Sequence, residues 1–245
     1  MTVRANLPVT EWGRRASTQY QRDYARQYRA HDDELRGVAP FVFLSNWIGR
    51  VAASCPPGFS ALDLGCGTGR YFWAIRGATE ITGIDASAAM LEEARHPLDG
   101  ERITATSIRL IEGDLLSYPF EPCSFDLVYS IGVLAEHSPF DARVVSNVAQ
   151  WLKPGGRFAF TTVHPDSKSV PRTFSRALGR WITPLTAGAV RRRLRDALLS
   201  SGLYADQTRV RELLTPRFTI ESLATFESEA HLHCVCVARK GDAGQ

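Results

Sequence analysis

No stretch of the 245-residue chain approaches 18 consecutive uncharged apolar residues, so no membrane-spanning helix is expected. The first residues, MTVRANLPVTEWGRR, lack an apolar core followed by a cleavage site. The expectation is therefore no secretory signal and a cytoplasmic protein. Cysteine is sparse and odd in number: Cys55, Cys66, Cys123, Cys234 and Cys236 have no framework spacing and read as reduced thiols. Internal repeats and low-complexity tracts are absent. Lysine occurs only at 153, 168 and 240 among 29 basic residues. With 44% hydrophobic and 22% charged residues, the composition is that of a globular chain and excludes disordered, collagen-like and coiled-coil proteins.

Charge is unevenly spread. Residues 168–217 hold 11 Lys and Arg against 3 Asp and Glu, a local +8 in a chain of net +3, which leaves −5 for the remainder. A basic segment on an acidic body points to a local anionic partner, or to a solvated Arg-rich helix, and away from nucleic-acid binding by the whole surface.

The pattern along the chain alternates strands and helices. A polar segment, 14–36, has helical spacing, with Tyr20, Tyr24 and Tyr28 on one face. A helix follows over 38–53. Then come a strand (61–64), a helix (68–77), a strand (81–84), a helix (87–97), strands at 108–112 and 125–129, a helix reaching Leu152, and a β-rich run over 157–163. After an irregular stretch, 165–203, a short helix near 205–214 precedes strands 218–226 and 231–239, which lie close enough to form an antiparallel hairpin. Alternation of this kind implies a parallel sheet covered on both faces.

The first strand ends in Leu62-Asp63-Leu64-Gly65-Cys66-Gly67-Thr68-Gly69, and Asp85 closes the second strand 20 residues after Gly65. Glycines let the backbone turn sharply and approach a ligand, and an acid at the next strand tip can accept hydrogen bonds from ribose hydroxyls. A dinucleotide site wants G-x-G-x-x-G, whereas this loop reads G-x-G-x-G and puts Arg70 at the last glycine of that fingerprint. Asp63 just before the loop suits an ammonium group better than a pyrophosphate.

Here the chain resembles the class I S-adenosylmethionine-dependent methyltransferases, in the small-molecule branch related to ubiquinone-biosynthesis methyltransferases. The resemblance runs through LDLGCGTGR (62–70), TGIDAS (82–87), EGDLLSYPF (112–120), SFDLVYSIGVLAEH (124–137) and WLKPGGRFAFTT (151–162). It implies an α/β Rossmann-like sheet of seven strands in the order 3-2-1-4-5-7-6, strand seven antiparallel, with a helical insert after strand five. It also implies S-adenosyl-L-methionine as cofactor. The backbone of Gly65, Gly67 and Gly69 would cradle its methionine and ribose, Asp63 would lie near its amino group, and Asp85 would hold the ribose hydroxyls. Ala86 would pack beside the adenine. Asp114 and Leu115 would meet the adenine amino group, and Ser130 and Ile131 the methionine end. Tyr20 or Tyr28 would cover it. Residues 1–55 become a helical segment over the cofactor site and 56–245 the methyltransferase domain. Within that domain 165–203 caps the substrate, with Arg191, Arg192 and Arg193 as substrate ligands.

Methyl transfer to a hydroxyl needs a base, and an amine must arrive neutral. His137, after the fourth strand, and His164, after the fifth, are the candidates. His231, His233, Cys234 and Cys236 do not form a metal site, because alternate residues on a strand face opposite ways. No metal is expected. The signatures of DNA and RNA amino-methyltransferases and of base-carbon methyltransferases are absent. The leading expectation is transfer to O or N of a small, anionic metabolite. The alternative is an RNA-modifying methyltransferase that holds phosphates with the basic insert. A cofactor-binding protein without transfer activity and a dehydrogenase complete the set. The sequence gives no oligomeric state.

Overall fold

The computed structural model describes residues 2–4 (backbone only), 9–168, 170, 203–228 and 231–241. Among them are eight strands and six α-helices. In chain order these are β1 (Thr2–Arg4), α1 (Glu11–Gln19), α2 (Arg22–Glu34), α3 (Ala39–Ala53), β2 (Phe59–Leu64), β3 (Ala78–Asp85) and α4 (Ala88–Glu93). There follow β4 (Ser107–Glu112), β5 (Phe125–Ser130), α5 (Ala142–Trp151), β6 (Leu152–Val163), α6 (Gln207–Leu214), β7 (Phe218–Glu227) and β8 (Leu232–Lys240).

All eight strands form one sheet in the order β1-β4-β3-β2-β5-β6-β8-β7. β8 runs antiparallel to both its neighbours, and every other pairing is parallel. Counted from β2, the order is the expected 3-2-1-4-5-7-6 with an antiparallel seventh strand. The sequence reading missed β1, three residues at the edge beside β4. Alternation along the strands fills two cores. Leu62, Leu64 and Val128 face α5 and α6 through Val144, Val148, Trp151 and Val210. Ala61, Leu127 and Tyr129 face the opposite layer, with Trp47, Ile48, Phe72 and Leu91.

Three helices differ from expectation. Segment 14–36 is two helices, because Tyr20 leaves the helical region (ψ 62°) and its carbonyl accepts the Ser87 hydroxyl. The helix expected over 68–77 is a chain of turns with one 3-10 turn, Phe72–Ala74. Gly69, at φ +72°, blocks helix initiation there, and the aromatic run Tyr71-Phe72-Trp73 gives helix propensity little to work with. α4 begins where Ser87 accepts the Met90 N–H, but it ends at Glu93, ahead of Pro97. Among the described residues no helix is long and apolar enough to cross a membrane, and no group of three or more His, Cys, Asp or Glu is placed to hold a metal ion.

Candidate active site

A crevice forms at the carboxyl ends of parallel strands where the strand order reverses, here between β2 and β5. The structure has a partly open cavity there. The four strand tips supply its floor: Asp63, Gly65 and Gly67 from β2 and its loop, Asp85 and Ala86 from β3, Asp114 and Leu115 after β4, and Ile131 and Gly132 after β5. The N-terminal helices supply its cover through Trp12, Gly13, Tyr20 and Tyr28.

The glycine loop is held by its own backbone. The N–H groups of Gly65 and Cys66 both donate to the Ile84 carbonyl, at 2.8 and 3.0 Å. The Gly67 N–H donates to Asp85 Oδ2 at 2.9 Å, and Asp85 Oδ1 accepts the Ser87 N–H at 2.9 Å. Asp85 thus staples the loop to the start of α4 while still lining the cavity. Gly65 and Gly67 both need positive φ, +76° and +53°, yet differ in surroundings. A Cβ on Gly65 would stand 2.7 Å from Val133, whereas one on Gly67 would meet nothing within 4 Å, because its open side is the cavity. Gly69 is turned away: its Cβ position lies 2.6 Å from Phe72, and it does not line the cavity.

Asp114 Oδ2 accepts the Thr10 N–H at 2.7 Å and Oδ1 accepts the Leu116 N–H at 2.9 Å. It therefore closes its own turn and also docks the start of α1. Gly13 is required at that docking point, since a Cβ there would lie 2.7 Å from Asp114 Oδ2. The second helix is latched differently. Asp32, fully buried, pairs with the Arg70 guanidinium and accepts the Thr68 hydroxyl. Arg70 in turn lies over the Tyr28 ring, 4.7 Å from its centroid. Tyr20 sets its edge against His137, with centroids 5.8 Å apart.

The cavity is electrostatically acidic. Burial pushes the Asp63 carboxyl up to about 8, opposed by the Tyr129 hydroxyl and aided by nearby Asp85. Burial also raises Asp85, against the lowering effect of the Ser87, Gly67 and Ala86 N–H groups. Arg70 is the cavity's one cationic side chain among the described residues, and Asp32 already neutralises it.

Besides Gly69, two expected residues lie elsewhere. Ser130 is fully buried and donates its hydroxyl to the Leu64 carbonyl at 2.8 Å, so Ile131, and not Ser130, borders the cavity. Its strand alternation, on the Val128 side, signals as much. His164 Nδ1 accepts the Asp166 N–H at 3.1 Å outside the cavity, whereas His137 stands at the cavity wall. Arg191, Arg192 and Arg193 fall outside the described residues. The sequence reading missed Trp12, Gly13, Asp32 and Glu136. Arg70 was noticed only as a departure from a glycine fingerprint.

Residues 61–156 match a protein-family profile described as a methyltransferase domain. The chain is 35% identical over 113 residues to a demethylmenaquinone methyltransferase of Lactococcus lactis, covering 44% of each protein. It spans about half the length, or somewhat less, of the curated relatives it matches. Among solved structures, an S-adenosylmethionine-dependent methyltransferase of Mesorhizobium loti is 26% identical, with a TM-score of 0.57 over 80% of this chain and 98% of that one. The magnesium protoporphyrin IX methyltransferase of Synechocystis PCC 6803, solved with bound SAH, shares the fold at 15% identity. Its TM-score is 0.62, over 94% of this chain and all of the other.

Proposed function

We propose that the chain is a class I S-adenosylmethionine-dependent methyltransferase that moves a methyl group from this cofactor to an O or N atom of a small molecule, a reading supported by the methyltransferase-domain match over 61–156 and by the methyltransferases it is similar to. One observation carries the reading. A carboxylate at the tip of β3 and a glycine with open space above it at the tip of β2 face the same cavity, joined by one hydrogen bond.

The residues present fit the cofactor. Asp85 spends one lone pair on each of two backbone N–H groups and keeps others for a ribose diol. The bare flank of Gly67 admits a ligand where any side chain would fill the room. Asp63 is positioned for the amino group, as a buried carboxyl that gains from a cationic neighbour. Ala86 borders the adenine side. Asp114 and the Leu115 backbone are the partners for the adenine amino group, and Ile131 and Gly132 flank the methionine end. Tyr20, Trp12 and Tyr28 close the cover. Residues 1–55 thus act as the segment over the cofactor and 56–245 as the methyltransferase domain. The insert 165–203, with Arg191–Arg193 as ligands for an anionic group, is the cap for the acceptor.

When bound, the cofactor supplies an electrophilic methyl group on a positively charged sulfur. The chain must hold the acceptor atom in line with that methyl, roughly 3–3.5 Å away. It must also exclude water, since charge is lost as transfer proceeds. The apolar cover does the second. His137 at the mouth is the group placed to take a proton.

The test is incubation of the purified protein with methyl-labelled cofactor and fractionated host extract, alongside calorimetric titration with S-adenosylmethionine. The expected result is micromolar-range binding and a labelled small-molecule product. Binding without any labelled product would leave a cofactor-binding protein only; absence of binding would overturn the reading.

A further inference from the structure

The loop after β5 lines the cavity with Ile131, Gly132 and Val133 and then closes into a tight turn. The N–H groups of Glu136, His137 and Ser138 all converge on the Val133 carbonyl, at 3.3, 2.9 and 3.0 Å, and the Ala135 N–H donates to the Ser138 carbonyl at 2.7 Å. Ala135, fully buried, is held in the left-handed region at φ +58°. A non-glycine residue there is strained, and the surrounding bonds over-determine it. The result is that two consecutive side chains, Glu136 and His137, point to the same region, with His137 Nε2 3.6 Å from Glu136 Oε1. Glu136 is 21% exposed, and among the described residues its ion-pair partner is His137.

The charge of the cavity narrows what this pair can serve. Asp63, Asp85 and Asp114 face it, and the cation opposing them, Arg70, is spent on Asp32. The cofactor brings two positive groups and one negative; its ammonium favours ionised Asp63, so among the described residues carboxylates still outnumber cations around the bound cofactor. An anionic oxygen nucleophile would enter a field of its own sign; an ammonium would enter one of opposite sign. The Tyr20 ring beside His137 adds an aromatic neighbour suited to a cation.

Resting on the methyltransferase reading above, we propose that the acceptor is an amine, received at the mouth as its ammonium form by Glu136, with His137 removing one proton. The ammonium gives one proton to the His137 imidazole, and the resulting imidazolium is held by the Glu136 carboxylate. The nitrogen lone pair then forms the N–C bond to the methyl group. The C–S bond breaks with its electron pair left on sulfur, and the product is a methylated ammonium beside a neutral thioether. The groups that face the pair are Tyr20 and Tyr28 from the N-terminal helices and His231 beside the β8 hairpin. Burial raises Glu136 to about 7, while burial and His231 lower His137.

The experiment uses the full chain, labelled S-adenosylmethionine, and a panel of primary and secondary amines, phenols and carboxylic acids beside fractionated host extract. The position of the label is read by mass spectrometry. Label on nitrogen supports the proposal. Label only on oxygen, sulfur or carbon, or no transfer to any nitrogen acceptor by protein that binds the cofactor, overturns it and leaves the cofactor assignment standing. Absence of cofactor binding overturns both. Glu136→Gln is expected to keep cofactor affinity within about twofold and to lower kcat/KM for the amine by about tenfold or more. Its acid limb should move to lower pH, because the His137 imidazolium loses its carboxylate. Glu136→Asp is expected to restore part of the rate. An unchanged pH profile in Glu136→Gln overturns the role of the pair.

Discussion

At the scale of single residues, the site rests on side chains that each serve the fold and the ligand together. Asp85 holds Gly67 and Ser87 by their N–H groups and still faces the cavity. Replacing it by Asn halves its acceptor capacity, and a hydrogen bond to a charged acceptor contributes roughly 1.5–3 kcal/mol. Asp85→Asn is therefore expected to weaken S-adenosylmethionine binding by about tenfold or more in calorimetry. Gly65 and Gly67 separate packing from binding. Gly65→Ala puts a methyl 2.7 Å from Val133, so it should lower the melting temperature strongly. Gly67→Ala meets no protein atom within 4 Å. It should cost about 1 kcal/mol of stability for its left-handed backbone, while cofactor affinity falls by a larger factor. Equal stability losses in the two variants would contradict this division.

Asp63 gives a pH dependence of known sign. Its carboxyl, raised to about 8 in the ligand-free protein, binds a proton more tightly folded than unfolded. The stability it contributes is therefore full at low pH and is lost as pH rises from the ordinary carboxylate range toward 8. Binding of a cationic amino group favours the ionised form, so cofactor affinity should rise over the same interval. Denaturant titrations and calorimetry at pH 6 and pH 8.5 check both slopes, and Asp63→Asn is expected to flatten them. These residues were legible in sequence because strand, glycine and acid fall at fixed spacing. Ser130 and Gly69 were assigned by proximity in the chain to a site they do not face. Glu136 left no signal in composition or spacing, since its position depends on the left-handed turn at Ala135.

At the scale of elements, the strands were readable and the helices near the cavity were not. Strand boundaries follow from runs of Ile, Leu, Val and Phe bounded by turn residues, a local signal. The helix expected over 68–77 does not form because Gly69 takes φ +72° at its start, and the adjacent Arg70 pairs instead with Asp32 of α2, nearly forty residues earlier. The same pair latches α2 over the site. Asp32→Ala leaves the Arg70 guanidinium, itself 17% exposed, without its buried partner. A loss of about 3 kcal/mol is expected in chemical denaturation, with weaker cofactor retention as the cover loosens. A surface-like change under 1 kcal/mol would show that the latch carries little.

At the scale of the whole molecule, the topology was the most legible feature. Helix-separated parallel strands and one terminal hairpin leave few arrangements, and the observed order follows, with β1 added at the edge. That order places the strand reversal between β2 and β5, and the reversal places the cavity. Charge distribution acts at this scale too. The described cavity is lined by Asp63, Asp85 and Asp114, and the proposed placement of 165–203 as the acceptor's cap would set a segment of basic sequence opposite them. A zwitterionic amine would satisfy both.

The most direct measurement is a crystal structure of the protein with S-adenosylhomocysteine. The account predicts the ribose hydroxyls on the Asp85 carboxylate, the homocysteine amino group near Asp63, and the sulfur opening toward His137. Ligand bound away from the β2 and β3 tips, or seated there with its ribose clear of Asp85, would contradict it.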